Sequence, residues 1–390
     1  MSSSFLLSFY AIASGLLTLA YIWVMARYLY HWQQAPDFEL PKEFQPQTSV
    51  SVLVPARNES ANVEACLLSI KGQAYPPELL EIVLIDDHST DDTLQKAEAL
   101  ARKHPQIRVL RLQDFLTAGE KVHSYKKRAI ELGIQQSKGQ LIVCTDADCE
   151  VPVRWLQYLT AYYESTRHKF IAAPVNFFRE SNLLEQFQSL DFLGMMGITA
   201  AGIQGRFMHM CNGANLAYER QTFEAVGGFA GIDHLASGDD MLLMQKVAAK
   251  YPGRIGFVKQ AAVKVQTKAQ PDWSSFVQQR VRWGSKSGDY HEWQVTAMLA
   301  VVFLLCCNIL LSVLLIPLLG WWAVGIFGFQ LLFKSIADYF LLSRMARFFH
   351  RSDLMAIFVP AQLLHILYIA VVGSLSNLRR TYQWKGRQLQ

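Results

Sequence analysis

Apolar positions along the chain follow two regimes. From 5 to about 28 the sequence is almost uncharged, with Arg27 its first charge, and about 20 such residues suffice to cross a bilayer. Three comparable blocks lie toward the other end, at 296–319, 321–342 and 354–376. Between 45 and 292 short apolar runs alternate with segments of helical spacing. The runs 49–54, 81–85, 107–110 and 140–145 read as strands, the first stopped by Pro55, the second by Asp86-Asp87 and the fourth by Asp146. Helical spacing fills 62–71, 90–103 and 124–137. This alternation predicts an α/β domain, a mostly parallel sheet covered by helices, with transmembrane helices at both ends. Such sheets bind ligands beyond the carboxyl ends of their strands.

Charge at the edges of the apolar blocks predicts sidedness. Met1-Ser2-Ser3-Ser4 carries no basic side chain ahead of the first run, unlike a signal peptide, whereas Arg27, His31 and Lys42 follow it. The positive-inside rule then puts the amino terminus outside and the α/β region in the cytoplasm. Arg344, Arg347 and Arg351 after the 321–342 block read as cytoplasmic, and so do Arg379, Arg380, Lys385 and Arg387 in the tail. A third full crossing would carry that tail outside, so either 354–376, which contains Pro360, re-enters or lies at the interface, or the charge rule fails here; a cytoplasmic tail is the expectation. Within the second block Lys334 and Asp338 stand four residues apart, where they can pair on one helix face. The expected organisation is a transmembrane helix and linker over 1–44, an α/β domain over 45–292, and a membrane region of two or three helices with a basic tail over 293–390. The compartment implied is a bacterial inner or plasma membrane with the α/β domain cytoplasmic.

Composition narrows the class. With 51% apolar and 18% charged residues in 390, the chain is too apolar for a disordered tail protein and too charged for a pure membrane bundle. A net charge of +5 is too small to support nucleic-acid binding. The six cysteines, Cys66, Cys144, Cys149, Cys211, Cys306 and Cys307, match no zinc spacing and read as reduced, buried thiols.

Carboxylates mark the strand ends. Asp146-Ala147-Asp148 follows the fourth strand, and two carboxylates two residues apart can reach one hard cation, Mg²⁺ or Mn²⁺. Asp86 and Asp87 end the second strand; Ser89 to Asp92 after them fit a helix cap, but the cap leaves those two acids unexplained. Like charges at one sheet edge require a cation or a hydrogen-bonding ligand. Ser237-Gly238-Asp239-Asp240 precedes a helical run, and either acid can cap it or act as a general base. Gln279-Arg280-Val281-Arg282-Trp283 lies on an amphipathic segment with Trp273, Phe276 and Val277, suited to an interface and to stacking on a sugar or diphosphate.

Taken together, Val54-Pro55-Ala56-Arg57-Asn58-Glu59, Asp86-Asp87 with Ser89, Asp91 and Thr93, Asp146-Ala147-Asp148, Gly238-Asp239-Asp240 and Gln279-x-x-Arg282-Trp283 resemble, in the same order, the membrane-anchored family 2 glycosyltransferases of GT-A fold. Asn212-Gly213-Ala214-Asn215 and Val226-Gly227-Gly228-Phe229 look like the acceptor-side segments of that family. The resemblance covers about 49–283 plus the flanking spans. It implies that Pro55, Arg57, Glu59, Asp86 and Asp87 hold the nucleotide, and that Lys126, with Lys127 as a close rival, reaches the donor. It implies that Asp146 and Asp148 bind the nucleotide's cation, that Asp240 is the base, and that Gln279, Arg282 and Trp283 steady the diphosphate. Asp239 stands where the family more often has Glu, leaving open which acid acts. The terminal Trp384-Lys385-Gly386-Arg387 looks like a tail seen in lipid-directed relatives such as ceramide and carotenoid glycosyltransferases.

The expected reaction is a single inverting displacement at the anomeric carbon of a nucleotide sugar, a UDP-sugar by resemblance. The apolar segment 183–203, interrupted by Glu185 and Asp191, is too mixed to span; it is either a core helix or an element at the membrane face. Few crossings and a Trp-rich interface favour a membrane lipid acceptor. Processive polysaccharide synthesis is the alternative, and a non-catalytic nucleotide-sugar-binding scaffold is a further one.

Overall fold

The computed structural model describes residues 3–117, 122–235, 237–285, 292–378, 382–385 and 387–389. Met1, Ser2, Arg379, Arg380 and Gly386, which entered the reading above, lie outside the described residues. The chain divides into two compact units: a sheet unit of Pro36–Arg179, His209–Lys268 and the stretch from Gln383, and a helical unit of the residues up to Ala35, Glu180–Met208 and Ala269–Tyr382. In this division 36–44, expected to be a linker, belongs to the sheet unit, and two segments from within 45–292 join the helical unit.

The sheet unit is built on β1 (Val50–Ala56), β2 (Leu80–Asp86), β3 (Ile107–Arg111), β4 (Leu141–Cys144), β5 (Phe170–Ala172), β6 (Val175–Phe177), β7 (Leu216–Glu219), β8 (Ile255–Phe257) and β9 (Val265–Thr267). Seven of these form one sheet in the order β3-β2-β1-β4-β7-β5-β8, and β6 pairs with β9 separately. β1, β2, β3 and β4 run parallel, with Val50 opposite both Leu80 and Leu141. β7 lies antiparallel between β4 and β5. The sheet's interior is made by β-branched and leucine side chains on both faces of β1, β2 and β4, where Val52, Leu53, Val54, Ile82, Val83, Leu84 and Ile142 have no exposed surface.

Pro55 does not stop β1, which continues to Ala56. Its pairing with β4 ends at Leu53 opposite Cys144, while pairing with β2 continues to Ala56 opposite Asp86. Proline therefore falls where one side of the strand has become an edge and a missing N–H is tolerated. The consequence is positional. The chain leaves β1 toward β2 and β3 on one side and returns to β4 on the other, so a crevice opens at the carboxyl ends of β1 and β4.

Among the described residues, the helical unit contains four helices long and apolar enough to cross a membrane, Phe5–Gln34, Trp293–Leu314, Trp321–Phe348 and Ser352–Ser376. Apolar side chains cover their outer surfaces: Leu314, Trp321, Trp293 and Val359 are all exposed, as lipid-facing positions require. The Leu183–Gly205 helix is buried on nearly every face and packs on the first helix and on Trp321–Phe348. Its interrupting acids are both satisfied. Glu185 accepts from the Ser181 amide at 2.6 Å, and Asp191 pairs with Arg280 at 3.2 Å. Lys334 and Asp338 form their expected pair at 2.6 Å, and Lys334 also donates to Gln362 at 2.9 Å. Cys66, Cys144, Cys149 and Cys306 are buried, and all six thiols are unbridged.

Candidate active site

Two loops meet at the carboxyl ends of β1 and β2 because their side chains bond each other's backbone. Ser89 accepts from the Asn58 amide at 3.1 Å, Thr93 from the Glu59 amide at 2.7 Å, and Asp91 from the Ser60 amide at 3.1 Å. In return Asn58 accepts from the Thr90 amide at 2.8 Å. The spaced Ser, Asp and Thr are thus structural clips, with Asp91 bonding the Thr93 amide at the start of the next helix. Arg57 donates to the carbonyls of Asp87 and His88 at 2.8 and 2.9 Å. Asp86 is buried, accepts from the Ser89 amide at 3.3 Å through one oxygen, and leaves the other without a hydrogen-bond partner.

A second cluster forms past β4. Lys126, on the Tyr125–Gln136 helix, lies 2.8 Å from Asp146 and 3.2 Å from Asp239. Asp240 caps the Met241–Lys250 helix, accepting from the Met241 amide at 2.7 Å, and its other oxygen accepts from the Gly213 amide at 3.1 Å. A β-carbon on Gly213 would sit 3.4 Å from Lys126 Nζ and 3.6 Å from a carboxylate oxygen of each of Asp239 and Asp240. Lys126 and, more than a hundred positions later, Asp239 and Asp240 therefore converge on one glycine, and Pro55 lines the same crevice as Lys126, Asp146 and Asp239. Lys126 and Lys127 have different partners. Lys127 is buried and donates to the carbonyls of Ile232 and Leu235, the latter at 2.8 Å, anchoring the loop that leads to Asp239.

The electrostatics are those of a site with surplus negative charge. Burial pushes the Asp148 carboxyl up to about 6, reinforced by Asp146 and Glu59. Burial works against the Lys126 charge, but Asp146, Asp239 and Asp240 hold its ammonium well above the usual lysine range. Among the described residues no group of three or more His, Cys, Asp or Glu side chains is arranged to hold a metal ion.

Other expected residues fall elsewhere. Gln279, Arg282 and Trp283 lie on the Trp273–Gly284 helix, which belongs to the helical unit rather than the sheet unit. There Arg280, between them in sequence, lies over the Trp283 ring at 4.4 Å. Asn215, expected near an acceptor, makes internal bonds, donating to the carbonyls of Pro174 and Val263 at 2.7 and 3.0 Å and accepting from Trp155 at 2.8 Å. Phe229 is fully buried.

Residues 51–227 match the glycosyl transferase family 2 model, and residues 141–372, more than half of the chain, match the glycosyl transferase family group 2 model. The chain belongs to glycosyl transferase family group 2. Relatives of this family 2 protein include glycosyltransferase AglE of Haloferax volcanii, 27% identical over 49% of this chain and 59% of its own length. The probable glycosyltransferase YdaM of Bacillus subtilis is 26% identical over 68% of this chain and 64% of its own. A beta-monoglucosyldiacylglycerol synthase of a Nostoc species is 28% identical over 49% and 41%. The chain thus spans 41% to 64% of the lengths of these relatives. Among solved structures, the mannosyltransferase PcManGT from Pyrobaculum calidifontis, in complex with GDP-Man and Mn²⁺, superposes with a TM-score of 0.57 at 20% identity, over 94% of this chain and 99% of that one. The shared architecture is the GT-A fold, so the α/β class expected from sequence holds.

Proposed function

We propose that this protein is an inverting glycosyltransferase that moves a sugar from a UDP-sugar to a lipid hydroxyl at the cytoplasmic face of the membrane. The observation that carries the reading is the convergence of Lys126, Asp146, Asp239 and Asp240 beside the loops holding Glu59 and Asp87. A divalent cation fits the donor set. Asp146 and Asp148 supply the one or two carboxylates that Mg²⁺ or Mn²⁺ takes when a nucleotide's phosphates complete its shell. When bound, the ion would neutralise charge developing on the departing diphosphate.

The chain's own groups account for the rest. Asp239 is committed to Lys126, whereas Asp240 is held by backbone amides that aim it without neutralising it. Asp240 therefore takes the proton of the acceptor hydroxyl as the acceptor oxygen bonds the anomeric carbon and the sugar–phosphate bond breaks. Lys126 keeps Asp146 and Asp239 at fixed separation. Gln279, Arg282 and Trp283 are proposed to meet the diphosphate and acceptor, as charge-assisted donors and a stacking surface.

Sidedness follows from charge and from the tail. Because the stretch from Gln383 belongs to the sheet unit, the proposed topology takes the intervening chain across the bilayer an even number of times. Three helices there are long enough, and the Pro360-containing segment is proposed to stop short of a full crossing. A lipid acceptor agrees with the name of the Nostoc relative. The test is to feed membranes radiolabelled UDP-sugars and extract them with organic solvent. A labelled, extractable glycolipid supports the reading; a long insoluble polymer would instead assign processive synthesis, and no incorporation with any sugar would leave a binding scaffold.

A further inference from the structure

We infer that the carboxyl-terminal tail is a displaceable plug for the nucleoside end of the donor crevice, competing with the donor for Glu59 and Asp87. The inference rests on the proposed assignment of those two acids to the nucleotide. Arg387 reaches Asp87 at 2.7 Å, and its guanidinium lies 3.7 Å over the Tyr125 ring. The other oxygen of Asp87 meets the His88 ring at 2.9 Å, and the residue is 2% exposed. Lys385 pairs with Glu59 and donates to the Arg57 carbonyl at 2.7 Å, while its own carbonyl accepts from Arg57 at 3.3 Å. The second oxygen of Glu59 accepts from Asn62 at 2.9 Å.

Both oxygens of both acids are therefore engaged, and the tail covers them. A ribose diol or base amide must donate to a carboxylate to be recognised; with Asp87 2% exposed against Arg387 and the Glu59 side chain 11% exposed against Lys385, it competes with the tail cations for access to both acids. Lys385 itself is held at φ +44°, a left-handed backbone unfavourable for a side chain with a β-carbon. That bend brings two cations, two residues apart, onto two acids from different loops. The tail adds a closed state to the free protein, which weakens apparent nucleotide affinity by the fraction of molecules that are open.

The experiment is calorimetric titration of the full-length protein in nanodiscs with UDP and with GDP, comparing the native chain with Arg387→Ala and with Lys385→Ala/Arg387→Ala. Tryptic cleavage after Lys385 and Arg387 is followed in the native chain in parallel. The plug predicts that the double variant binds the nucleotide about threefold to tenfold more tightly, as for a tail closed two-thirds to nine-tenths of the time, and that nucleotide speeds cleavage of the native tail. Equal or weaker binding by the variants, with UDP or GDP bound normally by the native chain, overturns the plug and leaves the donor site standing. Failure of all three proteins to bind either nucleotide overturns the donor assignment and the plug with it.

Discussion

At the residue scale, the two adjacent acids Asp239 and Asp240 are proposed to carry different work because their partners differ. Asp239 is paired with Lys126 at 3.2 Å, and an ion pair lowers the basicity of a carboxylate. Asp240 accepts two backbone amides at 2.7 and 3.1 Å, a fixed aim with lone pairs left over. Asp240→Asn keeps only one of those two bonds, because its amide nitrogen cannot accept, and it removes the base. Its turnover is expected to fall by about 10²–10⁴ with UDP affinity unchanged, measured by transfer from labelled donor and by titration; near-native turnover would take Asp240 out of the role. Sequence alone left open which acid acts, because the distinguishing partners are the lysine at 126 and the amide at 213. The same holds for Lys126 and Lys127. Neighbours on a helix point about 100° apart, and only the packed structure tells which of the two faces the acids.

At the level of elements, β1, β2, β3 and β4 were legible because parallel strands buried on both faces read as short apolar runs, and these end in conspicuous acids. β5, β7 and β8, of three or four residues, carry too little pattern to separate from loop. Close approach between elements is equally invisible in sequence. A β-carbon on Gly139 would lie 2.3 Å from the Ser51 amide nitrogen, so the turn into β4 lies flat against β1. Gly139→Ala is expected to destabilise the sheet unit by about 1–3 kcal/mol, the usual cost of overpacking, read as a lowered midpoint in thermal unfolding. An unchanged midpoint would mean that the crevice does not depend on that contact.

For the whole molecule, the apolar blocks announced four long helices, yet the membership of the helical unit was hidden. The Leu183–Gly205 helix reads as too mixed to span because the partner that offsets Asp191, Arg280, lies 89 residues on. The tail was visible as a basic motif, but its partners Glu59 and Asp87 lie 326 and 300 residues away, a separation no local pattern encodes. Those contacts tie the tail to the sheet unit and hence to its side of the membrane. A reporter fused after Gln390 is expected to be active only in its cytoplasmic form; activity only in the exported form would reverse the sidedness argued above.

The central claim is that acids remote in sequence form one cation-assisted nucleotide site. UDP affinity of the purified protein, measured with and without Mn²⁺, tests it directly. The account predicts that Mn²⁺ tightens UDP binding in the native chain and has no effect in Asp146→Asn/Asp148→Asn. Equal UDP binding by the native chain in the presence of Mn²⁺ and after its chelation would contradict it.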